Sequence, residues 1–88
     1  MDTGKLIFFK GTELLITIRN TKPSDRFALK LAKITGLGYA RVNQLINIFK
    51  QLGLIEFKKL NGRTKGVKLT AKGEEIASNL NAIKQAVL

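Results

Sequence analysis

The chain contains no cysteine and no histidine among its 88 residues. The first absence excludes disulfides and thiol nucleophiles. The two together exclude Cys/His zinc sites, and with no imidazole the commonest general acid–base group is missing. Acids are also few: 6 Asp and Glu stand against 16 Lys and Arg, a formal net charge of +10. They are scattered, and only Glu74 and Glu75 adjoin. Neighbouring residues on a helix point apart, so even these two do not form a working carboxylate pair. The chain therefore reads as a non-enzyme with no cofactor and no metal. Long apolar runs are missing too. Stretches such as Leu6 to Phe9 and Leu14 to Ile16 fall far short of the roughly 20 residues of a membrane helix. The N-terminus lacks the charged, long apolar and small-residue regions of a signal peptide. The expectation is a soluble cytoplasmic protein with no membrane partner.

What is present suits one folded domain over residues 1–88. Hydrophobic residues make up 44% of the chain, too many for a disordered tail. The length supports an adequate core, and typical stability per residue implies roughly 4–13 kcal/mol in total. No internal repeat, low-complexity tract or linker interrupts it. The positive charge says nothing about fold, but it favours a polyanionic partner. Ribosomal, chromatin and membrane-surface proteins share such a balance, so the partner must be read from pattern.

Lys5 to Phe9 is apolar and β-rich and reads as a short strand, with entry into the first helix as the alternative. A first helix is predicted from about Lys10 to Asn20, although its β-branched residues are mediocre helix formers. Pro23 breaks the pattern and Ser24 is placed to cap a second helix, about Asp25 to Thr35. Its apolar face would be Phe27, Ala28, Leu31, Ala32 and Ile34. Gly36 and Gly38 flank Leu37 in a turn, and a third helix follows from about Tyr39 to Leu52. There Val42, Leu45, Ile46, Phe49 and Leu52 recur at helical spacing and are expected to face inward. Gly53 ends that helix. Leu54 to Leu60 reads as a strand, Asn61-Gly62 as a hairpin turn and Lys65 to Leu69 as the return strand. Thr70 then caps a last helix from Ala71 to about Val87.

Ala32 lies four residues before Gly36, and Val42 and Leu45 lie six and nine residues after it. A small residue at that point lets the next helix cross closely, glycine supplies the positive φ of the turn, and the apolar pair packs back on the first helix. The predicted fold class is α+β, mostly helical, in the order β-α-α-α-β-β-α: a winged helix-turn-helix. Three segments carry a family resemblance: Leu31-Ala32-Lys33-Ile34-Thr35-Gly36-Leu37, Leu52-Gly53-Leu54-Ile55 and Leu69-Thr70-Ala71-Lys72-Gly73. In this order and spacing, over most of residues 10–75, the chain resembles small winged-helix transcription regulators, particularly the MarR-type and related archaeal groups. It is shorter than the usual MarR-type protein, which carries longer flanking dimerisation helices. The resemblance implies a regulator that acts by occupying a DNA site.

The third helix would be the reader. Ala40, Asn43, Gln44 and Asn47 share its outer face, and Tyr39 and Arg41 stand at its start, the end that usually enters the major groove. Asn and Gln pair bidentately with adenine and Arg with guanine. The alternative is a plain solvated face. However, no Asp or Glu occurs between Gly38 and Lys50, whereas a generic surface helix favours Glu over Asn. The hairpin between Phe57 and Thr70 carries Lys58, Lys59, Arg63, Lys65 and Lys68 without an acid. With Thr64 these are candidates for backbone phosphates, and Arg63, nearest the turn, for the minor groove. A charged edge that blocks aggregation would explain one or two of these cations, not five. Ser24, Arg26, Lys30 and Lys50 are further candidates for phosphate contact, Ser24 through free N–H groups at a helix start or as a plain cap.

Ile76, Leu80, Ile83 and Val87 step by four, three and four along the last helix. That spacing is a possible dimer seam, or the face that closes the chain's own domain. A two-fold homodimer would set two reading helices about 34 Å apart on a pseudo-palindromic site. The expected partners are double-stranded DNA and a second copy of the chain; no residue marks a small-molecule effector. A non-specific chromatin or nucleoid protein and a protein-interaction module are the competing readings. RNA is less favoured, because nearly all of the aromatics fall at core positions and leave no stacking platform.

Overall fold

The computed structural model describes the backbone of residues 3–62 and 64–87, with side chains described for 11–62 and 64–86. The described residues form four helices and one hairpin: α1 (Thr3–Asn20), a 3-10 turn (Pro23–Asp25), α2 (Ala28–Thr35), α3 (Tyr39–Gln51), β1 (Ile55–Lys59), β2 (Lys65–Leu69) and α4 (Ala71–Val87). This is the mostly helical winged arrangement expected, with one correction at its start. Residues 5–9 belong to α1, not to a strand. A short apolar run has no period that separates strand from helix. In addition, the outer edge of β2 is already taken. Phe27 pairs with Gly66 in an isolated antiparallel bridge, and the Val67 N–H donates to the Arg26 carbonyl at 2.8 Å.

The same bridge moves the start of the second helix. Phe27 is held extended, at φ −141° and ψ 156°, so α2 begins at Ala28 with no side-chain cap. Ser24 lies in the 3-10 turn and caps nothing. The end of α2 is as expected: Gly36 adopts φ 75° and its N–H donates to the Ala32 carbonyl at 2.9 Å. Gly53, also at φ 75°, ends α3 in a Schellman motif, with Leu54 N–H on the Phe49 carbonyl and Gly53 N–H on that of Lys50.

The core is apolar throughout. Leu14, Leu15 and Ile18 of α1 meet Leu31 and Ala32 of α2, Val42, Leu45, Ile46 and Phe49 of α3, and Leu54, Ile55, Val67 and Leu69 around the hairpin; α4 contributes Ala77. Ile34 and Leu52, expected to face inward, are half-exposed. Ile34 lies off the stripe formed by Ala28, Leu31 and Ala32, and Leu52 is the cap residue where α3 has already begun to turn away. β1 and β2 pair antiparallel with Ile55 opposite Leu69 and Lys59 opposite Lys65. The return strand has its expected bounds. The turn is wider than a two-residue hairpin: Leu60 N–H donates to the Thr64 carbonyl, and the Asn61 side chain accepts from Thr64 N–H at 3.1 Å. Among the described glycines only Gly36 and Gly53 have positive φ, so Gly62 does not serve the mirror-image turn that Asn-Gly suggests.

Thr70 ties the hairpin to both helices beside it. Its N–H donates to the Leu54 carbonyl at 3.0 Å, and its hydroxyl donates to the Gly53 carbonyl at 2.6 Å and accepts from Gly73 N–H at 3.0 Å. Lys72 reaches back to the Leu52 carbonyl at 3.1 Å. Replacing Thr70 by Ala should cost about 1–2 kcal/mol, the upper range for a lost N-cap, whereas Thr70→Ser should retain most of it. Urea unfolding midpoints of the two variants check this; equal midpoints would remove the hydroxyl from the account.

Candidate nucleic-acid interface

α3 presents three flanks, set by its 3.6-residue turn. Val42, Leu45, Ile46 and Phe49 are buried. Ala40, Gln44 and Asn47 are exposed on the outward side, with Gln51 continuing the row one turn on. Tyr39, 56% exposed, and Asn43 lie on the flank toward the hairpin, while Arg41, Ile48 and Leu52 lie on the flank away from it. A shallow open depression is lined by Gly38, Tyr39, Ala40, Arg41, Asn43, Gln44 and Asn47. All six residues named as readers therefore meet on one surface. The Asn43 amide donates to the carbonyl of Tyr39, one turn earlier, at 3.3 Å.

A second groove joins this surface to the wing. Tyr39, Asn43 and Ile46 form one wall, Phe57, Thr64, Lys65 and Val67 the other, and Phe27, Ala28 and Leu29 the floor at the start of α2. Tyr39 and Asn43 line both hollows, so the amide face of α3 adjoins the hairpin through them. Strand register divides the hairpin cations. Residues directly opposite share a sheet face, so Lys59 and Lys65 lie with Phe57 and Val67, toward the groove, whereas Lys58 and Lys68 project from the other face. Lys68 stands opposite Glu56, an acid just outside the carboxylate-free stretch. The Lys65 ammonium rests 4.0 Å from the centre of the Phe57 ring, a cation–π contact that holds the charge at the groove wall. The sequence reading missed this stack; the diagonal relation of residues 57 and 65 becomes visible only once the register is known. Lys59 and Lys65 face each other across the strands, a like-charge pair that costs hairpin stability and that a bound anion would relieve. Arg63 lies outside the described residues.

The remaining phosphate candidates fare differently. Lys30 and Lys50 are exposed. Arg26 is not available as a reaching cation: its guanidinium donates to the carbonyls of Thr21 at 2.8 Å and Arg19 at 3.2 Å, closing the end of α1. Lys22 pairs with Asp25 at 3.8 Å. Ser24 is exposed, but α2 starts four residues later, so the helix-start phosphate seat imagined for it does not exist. A short loop residue cannot signal in sequence that a bridge three positions on will postpone the helix.

The seam on α4 also divides. Ile76 and Leu80 pack against the chain's own core and the neighbouring Ala77 is fully buried, because α4 lies along α1. Arg19 pairs with Glu74 at 3.0 Å and Lys84 with Glu13 at 2.6 Å across that contact, surface pairs that stabilise by at most about 1 kcal/mol each. Ile83 is 60% exposed, and the Val87 side chain lies outside the described residues. Among the described residues there is no group of three or more acidic side chains able to hold a metal ion, and no helix is long and apolar enough to cross a membrane.

Comparison with known proteins bears on the fold. No protein-family model matches the chain, and no curated protein matches it by sequence. Among solved structures, it is similar to AF1382 from Archaeoglobus fulgidus, with 28% identity over 89% of this chain and 87% of that one, at a TM-score of 0.79. It is also similar to MepR, a transcription regulator of the Staphylococcus aureus multidrug efflux pump MepA, with 18% identity over 96% of this chain and a TM-score of 0.78. A point-substituted form of MepR gives 16% identity and a TM-score of 0.77. The chain spans 65% and 58% of those two MepR chains. The fold is that of the MarR-like winged helices.

Proposed function

We propose that this protein is a sequence-specific regulator of transcription that binds double-stranded DNA in the cytoplasm, with α3 in the major groove and the wing on phosphates or in the minor groove. The observation that carries this reading is the shared groove between the amide face of α3 and the wing. A helix seated in a major groove, about 12 Å wide, leaves a flanking β-ribbon against the adjacent backbone. The similarity to MepR, itself described as a transcription regulator, supports the same reading. Tyr39, Ala40, Arg41, Asn43, Gln44 and Asn47 serve as base readers; Lys58, Lys59, Arg63, Thr64, Lys65 and Lys68 serve the backbone, helped by Lys30 and Lys50.

The protein acts as a homodimer in this reading, joined through α4 around Ile83, with the first helix beside it, so that its operator is a pseudo-palindrome with half-sites about 34 Å apart. Selection from random duplexes tests the whole proposal. A symmetric enriched sequence supports it; enrichment no better than for random fragments would make this a non-specific chromatin protein. On the selected site, Arg41→Ala, Gln44→Ala and Asn47→Ala should each cost about 1–3 kcal/mol and relax preference at one position, whereas Lys59→Ala should weaken all duplexes alike. Binding left untouched by the three α3 substitutions would remove α3 as the reader.

A further inference from the structure

The outward row of α3 holds a methyl group and amides, and no cation. Ala40, Gln44 and Asn47 are exposed along it, with Asn43 at its wing-side margin. The nearest cations border the row without belonging to it. Arg41 lines the same depression from the flank turned away from the wing, and Lys50 follows Asn47 by about one turn on the other flank. The chemistry of base edges then discriminates. Guanine offers two acceptors, N7 and O6, and is read best by Arg or Lys. Adenine offers an acceptor and a donor, N7 and N6, which a carboxamide matches with its own donor and acceptor. Thymine is distinguished by its C5-methyl group, which suits an apolar contact such as alanine. From this complementarity we infer that α3 selects A·T base pairs at the centre of each half-site, with Gln44 and Asn47 on adenine edges and Ala40 against a thymine methyl.

The Asn43 hydrogen bond limits its part in the assignment. One N–H of its amide is engaged with the Tyr39 carbonyl at 3.3 Å, which ties the side chain to its own helix and leaves it less free to turn onto a base edge than Gln44 and Asn47.

This inference rests on the proposed function, and the experiment separates the two. A duplex selected from random sequence is resynthesised with single dT→dU replacements, which delete one methyl group and leave the protein untouched, and binding is read by fluorescence anisotropy. One thymine in each half-site should lose about fourfold on demethylation, the value of one buried methyl-sized group. That loss should vanish in Ala40→Ser, which keeps a small residue in the first turn of the helix. Gln44→Ala and Asn47→Ala should each lose about 5- to 150-fold on an A·T site and far less once the contacted pair is G·C. A selected site with G·C at the pairs sensitive to these α3 substitutions, or no thymine whose methyl couples to Ala40, would overturn the inference and leave the regulator reading standing. Absence of any specific site would overturn both.

Discussion

Raising salt from 50 to 200 mM should weaken the binding of one subunit to a half-site duplex about a thousandfold. Each phosphate neutralised by a lysine releases condensed counterions, and the log–log slope of affinity against salt is about −0.9 per contact on B-DNA. Six exposed lysines border the proposed interface: Lys30, Lys50, Lys58, Lys59, Lys65 and Lys68. If all engage, the slope is about −5, and a fourfold rise in salt gives the thousandfold loss. The register of the hairpin makes the measurement more informative than a bare test of charge. Lys58 and Lys68 project from the sheet face opposite Lys59 and Lys65. A wing that lies flat on one backbone engages one pair only, and the slope falls to about −3.6; a wing inserted edge-on engages both. Anisotropy titrations across potassium chloride concentration measure it. A slope shallower than about −2 would mean that the basic hairpin is not on the DNA. Lys59→Ala and Lys68→Ala then report which face is used, each reducing the slope by about 1 if its ammonium contacts a phosphate.

Gly73→Ala should destabilise the fold by about 3 kcal/mol or more, a large share of the roughly 4–13 kcal/mol available to a chain of this size. Helix propensity alone predicts the opposite, since alanine is favoured over glycine by about 1 kcal/mol inside a helix. Packing decides the sign. A β-carbon at residue 73 would overlap the carbonyl oxygen of Leu54 and lie 2.8 Å from its carbonyl carbon. That oxygen belongs to backbone and already accepts from Thr70 N–H, so it cannot move without loosening the link between wing and α4. Gly11 is the control within the same protein. It too is in a helix, yet a β-carbon there meets only Leu45 Cδ2 at an ordinary 3.8 Å. Gly11→Ala should stabilise by about 0.5–1 kcal/mol. Urea unfolding of both variants reads the contrast directly. If the two substitutions shift the midpoint in the same direction, the close approach of α4 to Leu54 is wrong.

What could be read without coordinates was what depends on neighbours in sequence. The period of Val42, Leu45, Ile46 and Phe49 defined the buried stripe of α3, the glycines at 36 and 53 marked helix ends, and Thr70 marked a helix start. Each signal is local, because backbone stereochemistry and helical spacing act within a few residues. The same locality made the charge pattern of the wing and the amide face of α3 legible. The errors arose where a partner distant in sequence made the decision. Phe27 is extended because Gly66, thirty-nine positions later, pairs with it, and this bridge displaced Ser24 from its cap. Arg26 looked like a free cation but serves the end of α1. Ile76 and Leu80 had the spacing of a seam, and both pack, partly buried, against the chain's own core. Composition and periodicity determined the elements and the chemistry on offer; tertiary packing decided which apolar faces were spent inside, which cations remained outside, and that the amide face of α3 adjoins the hairpin. The physical reason is that burial and cross-chain hydrogen bonding outweigh local preference wherever the two disagree, and no residue carries in its own identity the partner that will claim it.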